Sequence, residues 1–331
     1  MVLLLFAVFQ EVFICVDSLK LPFENDAVIW KPSLDGKYII GVDFSTSDVH
    51  LVKNRKYEGI IAKKGFAPEE IQGFVWDFYI RDNKLYIAQE HGRISVFDLE
   101  NKKPLYSKFL KYAHYPAHIR VSKKGNILIS TYEGEIRRNK VVQNELISLY
   151  NNEGRLIRRI FRPPQRYIRF DDPTFQHILP FEVIDGKIYI FGTLWEEMWV
   201  YSIKGKKLKY KKLKLKGFIP PEKWDERKMI HLSDEKRSQK IDEWLSKWTP
   251  LRHVYKASDS TIILKYCVGC SGSSIDSFYY PILSTKGDII QDGLYSTEDL
   301  IGVTDNGLAY FETKDKKWIK IYRINLKGGK Q

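Results

Sequence analysis

Cysteine is scarce: there are three in 331 residues, and only Cys267 and Cys270 stand close together. A four-thiolate metal centre needs a second such pair, which is absent. Haem attachment through Cys267-Val268-Gly269-Cys270 requires a following histidine, where Ser271 stands. Thioredoxin-like redox use expects a βαβ setting, whereas this pair lies beside a strand. The first reading is therefore a structural disulfide formed in an oxidising compartment, ahead of reduced thiols and of redox catalysis. Order along the chain also yields no matched triad, no phosphate-binding glycine loop and no glycosidase carboxylate pair.

Acidic residues are short in supply too. Lysine and arginine total 54 against 41 aspartates and glutamates, giving a formal charge of +13. Such an excess suits acidic partners, but it equally describes a lysine-rich solvated surface. No apolar run is long enough to span a bilayer comfortably. Val2–Phe9 and Val12–Val16, broken by Gln10 and Glu11, have the length of the apolar part of an export signal, although no Lys or Arg precedes them. Residues 1–18 are accordingly expected to be a signal peptide cleaved near Asp17 or Ser18, leaving a mature chain without a membrane span. The alternatives are an N-terminal anchor or an ordinary buried strand, the latter with a cytoplasmic protein. Lipidation at Cys15 is disfavoured by bulky Ile14 before it.

What the sequence does contain is a repeat. An apolar strand, a short turn of Asp, Asn, Gly or Ser, and a second apolar strand recur six times. The turns fall at Asp35-Gly36, Asp82-Asn83, Gly125-Asn126, Asp185-Gly186, Asp259-Ser260 and Asp305-Asn306-Gly307. These pairs tolerate the positive φ angles of tight hairpins, and the β-branched and aromatic residues around them favour a pleated, buried surface. A third strand often follows, as in Arg93–Asp98, and a fourth, as in Leu105–Phe109. Three or four antiparallel strands in units of roughly 45 residues mark a propeller blade. Six turns predict an all-β, six-bladed β-propeller over residues 19–331, with no seventh unit. The chain ends should meet, with the segment around Leu19–Phe23 supplying the outer strand of the last blade.

Gly65-Phe66-Ala67-Pro68-Glu69-Glu70-Ile71, then Lys84-Leu85-Tyr86-Ile87-Ala88 and Gly92–Asp98, resemble the order of motifs in NHL-type six-bladed propellers. Pro116-Ala117-His118-Ile119 leading to Gly125–Ile129, closed by Tyr150–Arg155, is a second match. The resemblance covers residues 57–161 best. It implies the fold and almost nothing about activity, because these propellers include binding proteins, lyases and lactonases.

Two stretches interrupt the repeat. Residues 162–179 carry Pro163-Pro164 and Asp171-Asp172-Pro173 and read as a loop. Residues 219–250 hold a short helical insertion between blades four and five. Ser233 can cap it, and Ile241, Trp244, Leu245 and Trp248 form one apolar stripe. That helix either covers apolar surface or acts as a lid over the channel mouth.

Candidate site residues come from the starts of the innermost strands, which converge around the channel. These are Asp77, His118, Glu182, His253 and Asp299, with Arg252 beside His253. Of them His118, His253 and Asp299 are candidates for a divalent metal. With two imidazoles but no third, and no nucleophile paired with a base, polar recognition is the more economical use. The expectation is a monomeric, exported, non-catalytic binding or scaffold propeller without a cofactor, recognising a protein, peptide or glycan at the channel mouth. A metal-assisted lyase or hydrolase at that mouth is the alternative. A third reading is an RNA-binding propeller using Arg155–Arg169, where Arg158, Arg159, Arg162 and Arg166 interleave with Phe161 and Tyr167; export argues against it. The lysines of 204–216 read instead as the charged edge of an outer strand.

Overall fold

A computed structural model gives the fold. It describes residue 9 and residues 11–326, apart from 24, 26, 68, 69, 112, 114, 115, 132, 133, 138, 139, 144–146, 163–178, 194, 221–230 and 271–276; of 134–143 and Leu245 only the backbone is described.

Each predicted turn joins an innermost strand to its neighbour. Blade one runs Val28–Pro32, Tyr38–Asp43, Val49–Lys53 and Lys56–Ala62; blade two runs Val75–Arg81, Lys84–Gln89, Arg93–Asp98 and Lys103–Phe109. Blade three is Pro116–Val121, Ile127–Thr131, Ile147–Tyr150 and Leu156–Phe161, and blade four is Phe181–Ile184, Lys187–Phe191, Glu197–Ser202 and Lys207–Lys212. At Asp82-Asn83 both central residues are left-handed, with φ of 50° and 58°, and at Asp185-Gly186 the values are 48° and 66°. These are the conformations that Asn, Asp and Gly adopt most readily. The fold is the six-bladed propeller that the turns predicted.

Two blades depart from the simple repeat. In blade three a separate hairpin, Gly134–Arg137 with Lys140–Gln143, sits between the second and third strands. The reading of the repeat did not isolate it, because its charged residues carry no apolar alternation. In blade five, Leu251–Ser258 and Thr261–Val268 are continuous, but the third position is divided between Ser277–Tyr279 and Ile282–Ser284. Pro281 lies in the break, where its missing N–H would interrupt a ladder.

Blade six is Asp299–Val303, Leu308–Glu312 and Trp318–Ile324, completed by Phe13–Lys20 from the other end of the chain. The predicted ring closure is present, and it begins earlier than Leu19. Phe9, Val12 and Phe13 are buried with Tyr280, Phe311 and Tyr322. The expected cleavage point near Asp17 or Ser18 therefore falls inside a strand of the fold.

Six apolar clusters form the core, one between each pair of neighbouring blades. Between blades six and one, for example, Val28, Trp30, Ile39 and Val52 meet Ile301, Tyr310, Ile319 and Ile321. A sheet buried on both faces has no solvent side, which explains why the second strands read as unbroken apolar runs. Approach at this seam is close. A Cβ on Gly302 would come within 2.5 Å of the Pro32 ring, so blade six could not seat against blade one with a larger residue there.

Among the described residues of the insertion is one α-helix, α1 (Asp234–Leu245), and Ser233 accepts from the Lys236 N–H at its N-terminus. Trp244 and Trp248 are buried with ring centroids 5.1 Å apart. The strand Lys207–Lys212 is the exposed outer edge of blade four, while Leu213 and Leu215 beyond it turn into the core. Most of the 162–179 loop, with Arg166, Tyr167 and Arg169, lies outside the described residues. No helix among the described residues is long and apolar enough to cross a membrane.

Candidate functional site

Alternate residues of an inner strand share one face, so Asp77 brings Tyr79 with it, His118 brings Arg120, and His253 brings Tyr255. Around the axis these side chains and Lys31 build a buried charged plug. Lys31 pairs with Asp77. The second Asp77 oxygen accepts the Ile119 N–H at 2.9 Å, with the His118 Nδ1 at 3.8 Å and the Arg120 Nη1 at 3.9 Å. Arg120 donates its Nε to Glu182 at 2.9 Å, and its other nitrogens reach the carbonyls of Ile119 at 2.9 Å and Val254 at 3.3 Å. Its guanidinium lies over the rings of Tyr79, 5.4 Å away, and Phe181, 5.9 Å away. Five blades thus touch one arginine–carboxylate cluster. Blade six joins through Lys265, which pairs with Asp299, and through the Tyr255 hydroxyl, which donates to the Leu300 carbonyl at 2.7 Å.

The electrostatics follow from this burial. Desolvation alone would raise the Asp77 carboxyl, but Lys31, His118 and Arg120 outweigh it and hold the group well below the usual carboxylate range. Burial lowers Lys31 and Lys265, each opposed by its aspartate partner. It also lowers His118 against the pull of Asp77, and lowers His253 further, with Lys265 adding to the effect. Both imidazoles are therefore neutral at neutral pH. Their rings meet edge to face at 5.4 Å, and the buried His118 Nε2 has no hydrogen-bond partner among the described residues.

Above the plug lies a cavity of about 740 Å³. It is lined by the later residues of the inner strands and the turns that follow them, such as Phe78–Arg81, Ser122–Lys124 and Asp185. This cavity thus stands at the strand ends, whereas the candidate residues lie at or near the strand starts. Glu182 and His253 do reach the cavity; Asp77, His118 and Asp299 sit outside its lining, in the plug or beside it. Arg252 is exposed and joins neither, because alternation along the strand sets it on the face opposite His253 and Tyr255. Among the described residues no three carboxylate, imidazole or thiolate groups converge as a metal centre: Asp299 faces Lys265, and the two histidines face each other.

Lys31, Arg120 and Lys265 were missed in the sequence. The signal for Arg120 was available, two residues after His118 on the same face. Lys31 and Lys265 carried none, since an isolated lysine in a strand usually faces solvent.

Away from the axis, Cys267 and Cys270 are joined as a disulfide with Cα atoms 6.0 Å apart, and both are buried. Cys15 is exposed on the closing strand. Arg158, from the stretch considered for RNA, donates to the Lys204 carbonyl at 2.8 Å across the seam between blades three and four.

No family model and no curated protein matches the chain. Among solved structures it is similar to a "putative exported protein" of Bacteroides fragilis, with a TM-score of 0.62 at 9% identity, covering 96% of each chain. A member of the DUF4221 family from Bacteroides vulgatus superposes with a TM-score of 0.66 at 11% identity, covering 97% of this chain and 100% of that one. Identities this low establish a shared fold.

Proposed function

We propose that this chain is an exported, non-catalytic propeller that binds a polar ligand, a peptide, a protein segment or a glycan, in the axial cavity. The observation that carries the reading is the cavity itself. Its volume of about 740 Å³ suits a small oligomeric ligand, and its wall combines Phe78, Tyr79 and Tyr255 with Arg81, Glu182 and His253. Binding rather than turnover fits the floor, where Arg120 and Glu182 are committed to each other and Lys31 to Asp77. Kinship with NHL-type propellers is part of the proposal, supported by the six blades and by the Gly65–Ile71 segment, whose ends hydrogen-bond where it links blades one and two.

The test is a cavity-filling variant. Val183 lines the wall outside the charged plug and is only partly buried against the apolar cluster of blades three and four, so a Val183→Trp protein whose melting curve shows it folded should bind any oligosaccharide or peptide hit about tenfold or more weakly, roughly 1.4 kcal/mol. Unchanged affinity in a folded V183W protein would place the ligand elsewhere. Turnover accompanied by a stoichiometric metal would replace the binding reading by the enzyme.

Export is supported by the Cys267–Cys270 bond and by the description of the Bacteroides fragilis neighbour. Protein recovered from its native compartment, denatured without reductant, should show no reactive thiol from this pair. Two free thiols beyond Cys15 would return the chain to the cytoplasm.

A further inference from the structure

We infer that the ligand of the axial cavity carries an acidic group, seated on the side of blades two and three by Arg81, Lys123 and Lys124. The inference rests on the binding reading above and adds the ligand's chemistry and its orientation.

The starting point is which cations at the cavity already have a counter-charge. The deep ones do: Lys31 is paired with Asp77, and Arg120 with Glu182. Lys256, on the wall, lies between Asp259 at 2.8 Å and Asp305 at 3.2 Å. Lys123 and Lys124 differ. They occupy the turn after the inner strand of blade three, both are exposed, and neither has an ion pair or hydrogen bond among the described residues; Lys123 acts on Asp259 across the mouth only as a more distant charge, lowering that carboxyl after Lys256 does.

Arg81 completes the group. It is the last residue of blade two's inner strand, and its Nη1 donates to the Val121 carbonyl at 2.8 Å, two residues before Lys123. That bond fixes the guanidinium beside the lysine turn. Its buried Nε forms a loose ion pair with Asp82, 3.5 Å away on a side chain 76% exposed, while Nη2 makes no hydrogen bond among the described residues. A guanidinium held in place with donor capacity left over is arranged to take an oxyanion.

The opposite side of the mouth has the opposite character. Asp185, Asp259 and Asp305 stand on the turns of blades four, five and six. The cavity is polarised across its width, cationic toward blades two and three and anionic toward the rest. A ligand with an acidic group at one end and hydroxyl or amino groups at the other matches both sides, and a uniformly acidic polymer would meet the three aspartates. Sugar acids and short acidic peptides share this chemistry and fit the volume.

Calorimetric titration with four probes separates these sources: a galactotriose with one terminal galacturonate unit against galactotriose itself, and the C-terminally amidated peptide Glu-Gln-Gln against its Gln-Gln-Gln counterpart. At low salt, at least one acidic probe should bind tenfold or more tightly than its neutral counterpart, and added salt should narrow the difference. The double variant K123E/K124E changes only exposed side chains, so it should fold and lose that preference. V183W should weaken every probe alike. Equal affinity for acidic and neutral probes, no binding of either acidic probe, or a preference that survives K123E/K124E would overturn the inference. Binding that V183W does not touch would overturn the cavity reading beneath it, whichever probe is preferred.

Discussion

Deleting residues 1–20 should lower the melting temperature by more than about 15 °C or abolish folding, because it removes one whole strand of blade six. Phe13–Lys20 pairs with Trp318–Ile324, from Phe13 opposite Ile324 to Lys20 opposite Trp318, with a bulge at Val16. The Phe13 ring packs edge-on to Phe311 at 5.1 Å, and Phe9 lies 4.8 Å from Phe13 and 5.5 Å from Phe311. Truncating one such buried ring costs about 3–5 kcal/mol, so Phe13→Ala alone should be visible in a thermal melt. The deletion adds the loss of Phe9 and Val12 and leaves Trp318–Ile324 as an unpaired edge. Removing residues 1–8, which keeps the strand complete, provides the comparison. An unchanged melting temperature on removing 1–20 would refute the closure. Processing is constrained by the same geometry: a cut near Asp17 strips Phe13–Val16 from the strand, so an exported form of full stability should still carry Phe13.

The fold was legible because blade turns are local. Asp82-Asn83 and Asp185-Gly186 announce a positive-φ hairpin within two residues, and the apolar run on each side needs no partner to be recognised. The disulfide pair was legible for the same reason. The site was legible only in part, because its contacts are not local. Asp77 meets the Ile119 amide 42 residues away, Arg120 meets Glu182 across 62 residues, and it meets the Val254 carbonyl across 134. Knowing that six inner strands converge was enough to bring Asp77, His118, Glu182 and His253 together. It did not show at which end of the strands this cavity lies, since that depends on how large side chains such as Arg120 and Tyr79 fill the axis. Arg252 was legible as an outsider, since alternation puts the neighbour of His253 on the other face of the strand. The N-terminal run was ambiguous for a different reason: an export signal and a buried edge strand ask for the same apolar composition.

Replacing Asp77 with Ala should destabilise the protein by about 3–5 kcal/mol, measured by denaturant unfolding at neutral pH, since it strips the counter-charge from a buried ion cluster. Lys31 loses its partner, Arg120 keeps Glu182 and its two carbonyl acceptors but loses the nearby Asp77 charge, and the Ile119 N–H loses its acceptor. Lys31 is already lowered by burial, so it can shed part of the cost by giving up its proton. The penalty should accordingly grow as pH falls. If the charge itself is at fault, removing it should help: the pair Lys31→Met with Asp77→Leu should recover most of the loss, as apolar replacement of buried ion pairs often does. A double variant no more stable than D77A would show that the Ile119 bond or the packing, rather than the charge, is what Asp77 contributes. The acid limb gives an independent reading. His118 and His253 are lowered by burial, so the stability they contribute is complete above their unfolded value of about 6.5 and is lost as pH falls through their folded values. Asp77, also lowered in the fold, adds a second loss below about 3.9. Asp77 also pulls His118 upward, so without the carboxylate that imidazole should titrate lower still. The variant's stability should then fall more in the histidine range than that of the parent, and its loss below about 3.9 should shrink. A cost under about 1 kcal/mol, with an unchanged acid limb, would mean that the axial charges are solvated and that the plug does not hold the blades together.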